Sequence, residues 1–397
     1  MNALEIPLPV HRRLLTPGVG VLLALIAVGF CVAVYRFIFG LAAATNLDQQ
    51  HPWGLWIAVD VASGVALAAG GFTTAALVHI FHRESFHAVA RPALLTAMLG
   101  YTFVGIGLMA DLGRYYNIWH PAWPTMWQGN SVLFEVGMCV MCYLTVLYIE
   151  FLPIVCERFM GDARRPRLAR VCRTVHHNVE RTMFLFILAG VVLSCLHQSS
   201  LGNLMVIVPS KMHALWYTPI LPVLFLLSAI AVGFPMVIVE SLYASWSLGL
   251  APELPLLRRL ARPACALLGL YLAFKLGDLL VRDAFGDAVK GTVQPAMFVV
   301  EVAFGVVLPF VMLLRVNERT SARWLGVVAL LVVLGVVLNR VNVFLVAYQP
   351  PYATTTYFPS IGEFAVTAGL IALLILLYRV IVTHFPVISH PVGATRP

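Results

Sequence analysis

Ionisable and amide side chains recur near one end of successive apolar stretches. Asp60 closes HPWGLWIAVD, Asp111 and Arg114 lie in DLGRYYN, Glu135 lies in LFEVG, and His197 and Gln198 open HQSS. A charged side chain at mid-membrane costs about 2.5–3.5 kcal/mol on insertion scales, so each is a functional candidate by default. A carboxyl group in an apolar setting can take up and release protons. A neutral imidazole both donates and accepts hydrogen bonds. With the rings of Trp53 and Trp56 beside them, these groups suit the head group of a lipid-soluble quinone. Its ring stacks on aromatics, its carbonyls need donors, and its reduction consumes protons. The expected catalytic residues are Glu135, Asp60 and His197. The expected quinone contacts are Asp60, Asp111, Arg114, His197, Gln198, Trp53 and Trp56, and the expected proton path runs through Glu135, Glu240 and Glu301.

Blander roles compete with these. Asp111 and Arg114 stand i,i+3 and can neutralise each other, as can Lys275 and Asp278. Glu301 and Arg340 suit a structural pair between helices. His197 alone suits a hydrogen-bonded core histidine, and Glu150, Glu180 and Arg315 sit where side chains snorkel to the interface. Redox centres within the chain are not expected. Axial haem ligation in a bundle calls for histidines facing each other. Only His197 and His79 touch the apolar segments, near opposite ends; His51, His120, His197 and His213 can gather on one side. Cys139 and Cys142 form a lone C-x-x-C, and the seven cysteines form no disulfide framework. There is no Walker A motif, dinucleotide fingerprint or metal signature.

The elements that must position these groups follow from composition. Of 397 residues, 60% are apolar and 11% charged, and mean hydropathy is +0.89. Soluble domains hold roughly 45–50% apolar and 25% charged residues, so a soluble fold is excluded. Ten segments read as membrane helices: 17–41, 54–80, 92–113, 130–156, 180–197, 216–247, 263–281, 294–314, 324–347 and 361–383. The first is too long for the 7–15-residue core of a signal peptide and reads as a retained helix. Of 26 Lys and Arg residues, 19 fall on one set of alternate loops and the termini, counting Arg181 and Arg379 within the adjoining span ends, and four on the other set. That bias places both termini in the cytoplasm, and it ascribes the net charge of +8 to topology, not to nucleic acid. Helix rise then sets depth. Asp60 lies about 9 Å below the outer face and Glu135 about 7–8 Å, with Asp111, Arg114 and His197 at the same level. The predicted site is this shared layer.

The outer loops are poor in charge and rich in rings, notably Tyr115–Asn130 and Ala347–Ser360. Interfacial belts account for part of this, and docking of an extramembrane partner accounts for the rest. The chain also resembles itself. RPALLTAMLG at Arg91 parallels RPACALLGL at Arg262, LFEVG parallels VVEVAFG around Glu301, and GVVLSCLHQ at Gly190 parallels GVVLNRVNV at Gly335. Spans 2–5 thus pair with spans 6–9 as a parallel repeat.

HPWGLWIAVD, DLGRYYN, NSVLFEVG, HQSSLGNLM and GFPMVIVE together resemble the NrfD/polysulphide-reductase membrane-subunit family, in particular its HybB-type branch from nickel–iron hydrogenases. The resemblance covers nearly the whole chain. It implies a haem-free, quinone-reactive anchor for menaquinone or ubiquinone in the bacterial cytoplasmic membrane. It also implies a periplasmic ferredoxin-like iron–sulfur partner with catalytic hydrogenase subunits beyond it. The family's quinone pocket maps to Asp60, Asp111, Arg114 and His197, and its proton-moving glutamate to Glu135.

The expected fold is all-α and polytopic: a tail (1–16), a peripheral helix (17–41), four-helix bundles (54–197 and 216–347), a second peripheral helix (361–383) and a tail (384–397). The expected function is a quinone-linked oxidoreductase subunit, inactive alone, with proton translocation as an added capacity. A DsrP-like subunit of sulfur metabolism, a b-type cytochrome and a secondary transporter are the alternatives.

Overall fold

The computed structural model describes residues 6–10, 13–289 and 291–390; Arg12, Lys290 and Arg396 of the charge count, with the outermost parts of both tails, lie outside them. Among the described residues, ten helices are long and apolar enough to cross a membrane. Spans 1 to 5 are Pro17–Phe39, Leu55–Ile80, Glu84–Asp111, Val132–Phe159 and Pro166–Val206. Spans 6 to 10 are Leu221–Leu248, Leu254–Val281, Val293–Leu314, Ala322–Val346 and Ile361–His384. Hydrocarbon offers no partner to a peptide group, so a single chain crosses it as helix. At 1.5 Å per residue, 20 residues cover the roughly 30 Å of hydrocarbon.

Local chemistry sets the ends. Thr16, Ser131 and Ser321 accept backbone N–H groups of Val19, Phe134 and Trp324 at the starts of spans 1, 4 and 9. Gly249, at φ 64°, closes span 6 in the left-handed region that glycine tolerates. Three helices outrun their predicted limits. Spans 3 and 7 continue through Pro92 and Pro263, and span 5 runs 41 residues where 180–197 was expected. Hydropathy marks the greasy part of a helix, and the Arg-bearing foot of span 5 continues the same helix beyond it.

Spans 2, 3, 6 and 9 form the centre, with 61–67% of their apolar windows buried, whereas span 1 is 11% buried. Spans 1 and 10 lie against each other at Gly29 and Gly369, where a Cβ on Gly29 would stand 2.7 Å from Ala365 O. Span 2 bends at residues 68–69 and ends in a π-helical turn, Ala76–Ile80. Spans 8 and 9 carry π-helical turns at Ala303–Val307 and Asn342–Val346. Strands β1 (Ile6–Pro7) and β2 (Ser389–His390) pair antiparallel, so both ends of the described chain lie on one face. The Arg-bearing loops share it, and it is called the Arg-rich face below. The opposite side is the aromatic face.

Candidate functional site

At the aromatic face a cavity of about 710 Å³ opens between spans 2, 8, 9 and 10 and the loop before span 10. Its walls are largely apolar and aromatic, with His51, Asp60, Gln294, Tyr357, Glu363 and Thr367 among its polar groups. Span 2 supplies Trp56 and Asp60 one turn apart, and Thr367 of span 10 donates its hydroxyl to Asp60 Oδ2 at 2.5 Å. Glu363 belongs to a capping box at the start of span 10. Its carboxylate accepts the backbone N–H of Ser360 at 2.5 Å, and the Ser360 hydroxyl accepts the Glu363 N–H at 3.2 Å. The same carboxylate accepts the Tyr357 hydroxyl at 2.5 Å and the Asn46 N–H at 3.3 Å.

The approach to span 2 is folded on Asp48. Its carboxylate accepts the backbone N–H groups of Gln50 and His51 and sits 3.1 Å from His51 Nδ1. The His51 backbone N–H, foremost, holds the Asp48 carboxyl below the usual range. With Nδ1 turned to Asp48, Nε2 of the buried His51 ring is left for the cavity. Burial, aided by neighbouring Tyr352, pushes the Tyr348 phenol up to about 12. Burial and adjacent Glu363 push Tyr357 up further. Both phenols therefore stay protonated donors. A pocket of 300–1,000 Å³, mostly apolar with a few placed polar groups, holds a small organic molecule. This one offers ring faces, hydrogen-bond donors and two carboxyl groups, those of Asp60 and Glu363.

The predicted residues divide. Trp56 and Asp60 line the cavity, whereas Trp53 is 44% exposed on the surface. Asp111 is buried, and its Oδ2 accepts the backbone N–H of Gly54 at 2.6 Å. Gly54, at φ 107°, provides the backbone geometry that starts span 2 over this carboxylate. The expected Asp111–Arg114 pair is absent. Span 3 ends at Asp111, leaving Arg114 exposed in the following turn, while Arg36 of span 1 donates to Leu112 O beside it.

His197 and Gln198 do not reach the cavity. Both are fully buried between spans 2, 3, 4 and 5. Tyr101 Oη lies 2.6 Å from His197 Nε2, and His197 Nδ1 lies 3.1 Å from Leu193 O. Gln198 donates to Val65 O at 2.8 Å. Glu135, expected inside, is exposed and accepts the Ser200 hydroxyl at 2.5 Å. These side chains turn toward different neighbours, so the single expected cluster resolves into separate sites.

The second proton-path group is also rearranged. Glu301 pairs with Lys275, not Arg340, and accepts Asn339 at 2.8 Å, Asn342 at 2.7 Å and Trp216 at 2.8 Å. So many donors hold its carboxyl group in a fixed place. Asp278 pairs with Arg282 at 2.6 Å instead of with Lys275, and also accepts the Thr218 hydroxyl at 2.6 Å. Arg340 bonds Asn339, Ser228 and Phe225 O and lies 3.7 Å from the Phe225 ring centre. Glu240 is half-buried beside Thr96 and Tyr378. Glu150, expected to snorkel, is 8% exposed.

His51, Gln294, Tyr357, Glu363 and Thr367 were missed. Only Glu363 carried a readable sign, the Ser-x-x-Glu spacing from Ser360 that marks a capping box. The other four are ordinary loop or helix residues until the fold brings span 10 against span 2.

The comparisons agree with this architecture. The family described as "Polysulphide reductase, NrfD" matches residues 43–351. A protein of Nitratidesulfovibrio vulgaris is 37% identical over 396 residues, covering 96% of this chain and 97% of its own. The Escherichia coli protein named "Probable Ni/Fe-hydrogenase 2 b-type cytochrome subunit" is 34% identical over 387 residues, 96% of this chain and 95% of its own. The integral membrane subunit of menaquinone reductase from N. vulgaris is 32% identical over 172 residues, 43% of this chain and 39% of its own. Ten apolar spans, the aromatic-face cavity and these matches together establish that the chain is an integral membrane protein belonging to the NrfD, or polysulphide reductase, family.

Proposed function

We propose that the chain is the quinone-reactive membrane subunit of a respiratory oxidoreductase of HybB-type hydrogenase character, passing electrons between an iron–sulfur subunit and the quinone pool. The observation that carries this is the aromatic-face cavity with Asp60 in its wall. In this reading the menaquinone or ubiquinone ring packs against Trp56 and Phe344, its carbonyls accept from His51 and Gln294, and Asp60 exchanges the proton. Asp111 shapes the site from behind by fixing the start of span 2. Arg114, His197 and Gln198 act outside the ring's reach, and Glu135 acts at the exposed outer rim.

The aromatic face is the periplasmic side, with both termini cytoplasmic in a bacterial inner membrane. The Lys/Arg bias supports that orientation. The ferredoxin-like partner docks on the exposed Tyr116, Trp119, Trp123, Met126 and Trp127, and catalytic subunits lie beyond it. The subunit works without haem of its own: both His197 nitrogens are already engaged, by Tyr101 and by Leu193 O. The two four-helix groups of the proposed repeat then have different cores, neutral around Tyr101 and His197, ionic around Lys275 and Glu301.

The test uses the purified complex and a soluble naphthoquinone. Asp60→Asn abolishes most quinone turnover with the complex still assembled, and a photoreactive quinone labels spans 2 or 10. Full turnover in Asp60→Asn, with label elsewhere, refutes the assignment.

A further inference from the structure

Two arginines are buried in the spans, Arg36 at 4% exposure and Arg340 at 0%. A guanidinium stays charged in a protein, so each takes a full positive charge out of water. Arg36 has the Asp111 carboxyl group beside it. Arg340 has no acid of its own. It donates to Asn339 Oδ1 at 2.7 Å, Ser228 Oγ at 2.8 Å and Phe225 O at 3.3 Å, all neutral acceptors. Its Nε finds no partner among the described residues. Glu301 lies close enough to feel the charge but is already paired with Lys275. Lys275, Glu301 and Arg340 together therefore hold one positive charge in excess. An uncompensated buried charge is costly and marks a functional position.

Arg340 backs onto the aromatic-face cavity. It lies one turn below Phe344 on span 9, six residues or about 9 Å from the end of that span. Its guanidinium sits 3.7 Å from the Phe225 ring centre, and the Phe225 ring meets the Phe344 ring edge-on at 6.0 Å. Val341, Phe344 and Leu345 form the cavity wall on that side. Along this route two buried rings separate the charge from the cavity, and rings screen a charge far less than water does. The cavity wall itself holds the acids Asp60 and Glu363, with no Lys or Arg among its described lining residues. Negative charge developing inside the cavity thus meets acids in the wall and a cation only behind it.

We propose that Arg340 sets the electron affinity of the ligand in the Asp60 cavity: its buried charge stabilises the negative charge a quinone head group carries when an electron arrives before its proton. The proposal rests on the reading of that cavity as a quinone site. The electron comes from the iron–sulfur partner of that reading. The proton comes from the Asp60 carboxyl, whose O–H bond breaks as an O–H bond forms on the head group. Arg340 neither gains nor loses a proton, and it acts across the wall through its field. With the head group against Phe344, the separation is at most about 13 Å. At an effective dielectric constant of about 20, opposite charges that far apart shift an equilibrium roughly tenfold. The fields of Lys275 and Glu301 oppose each other, so their pair adds little.

The test is a redox titration of the whole complex with a soluble naphthoquinone bound, followed by the radical signal of the singly reduced ring in electron paramagnetic resonance. Wild type gives the reference potential of the one-electron couple. Arg340→Gln lowers the equilibrium constant for that electron roughly tenfold, about 59 mV, with naphthoquinone still bound. Ser228→Asp leaves Arg340 in place and gives it an acid. It lowers the couple to a similar extent, and it serves where Arg340→Gln fails to assemble. Arg340→Lys keeps the charge and stays near wild type. A structural arginine would move stability and leave the potential alone. A wild-type potential in an assembled neutralised variant, loss of assembly in both, or an equal drop in Arg340→Lys overturns the role. A wild-type complex that binds no naphthoquinone overturns the quinone reading instead.

Discussion

Thr367 and Asp60, on the last span and the second, share a 2.5 Å hydrogen bond across the wall of the aromatic-face cavity. Span 10, expected to be peripheral, thereby holds the side chain to which the proposed quinone site assigns proton exchange. Thr367→Val removes the donor and leaves Asp60 free to turn. Quinone turnover should fall several-fold, with Thr367→Ser close to wild type, measured as kcat and KM in the purified complex.

Glu363 ties the cavity's outer wall together. Glu363→Ala removes the carboxylate half of the capping box of span 10 while Ser360 keeps its own half, and frees Tyr357 and the Asn46 backbone. A raised KM for quinone with a smaller change in kcat is the expected outcome in steady-state kinetics. An equal loss in both would show that Glu363 acts in the chemistry as well as in the architecture.

Between spans 7 and 8, Lys275→Met leaves the buried Glu301 with only neutral donors. Removing one member of a buried pair costs about 3–5 kcal/mol, so the detergent-solubilised protein should unfold at markedly lower temperature. The double variant Lys275→Met/Glu301→Leu should recover part of the loss. Thermal unfolding of the three proteins checks this.

Asp48 sets a pH dependence. Its folded-state carboxyl titrates below its ordinary range, so its contribution is complete above the unfolded value of about 3.9 and disappears as pH falls through the lowered value. Naphthoquinone binding should therefore be insensitive to Asp48 titration between pH 5 and 8, and should weaken only under stronger acid. Asp48→Asn should bind as weakly at neutral pH as wild type does in acid.

The haem question is spectroscopic. With His197 engaged at both nitrogens, the isolated subunit should show no Soret band in either redox state, and His197→Ala should leave the visible spectrum unchanged while affecting turnover.

The ten spans were legible because hydropathy is a property of a stretch of chain, and the Lys/Arg bias is additive over loops. Azimuth was not legible. Each residue turns a helix by about 100°, and which way Asp60 or His197 faces depends on how spans 2 and 5 roll against their neighbours. Asp60 faces span 10, His197 faces Tyr101, and Glu135 faces outward with Ser200. Charge pairing failed for the same reason: Lys275 found Glu301 on span 8 before Asp278 on its own helix. Thr367 could not be found at all, since a threonine in an apolar helix has no sequence signature apart from its partner.

Span 5 is continuous for 41 residues, about 60 Å at helical rise, twice the hydrocarbon thickness. Its arginine-bearing foot stands in water on one side of the bilayer, and His197 rides rigidly on the same rod. Those guanidinium groups act as a keel: they cannot be drawn into oil, so they fix the draught at which the whole vessel floats. A bilayer that thickens or thins must accommodate itself around that waterline, and His197 keeps its altitude above the foot while lipid composition changes.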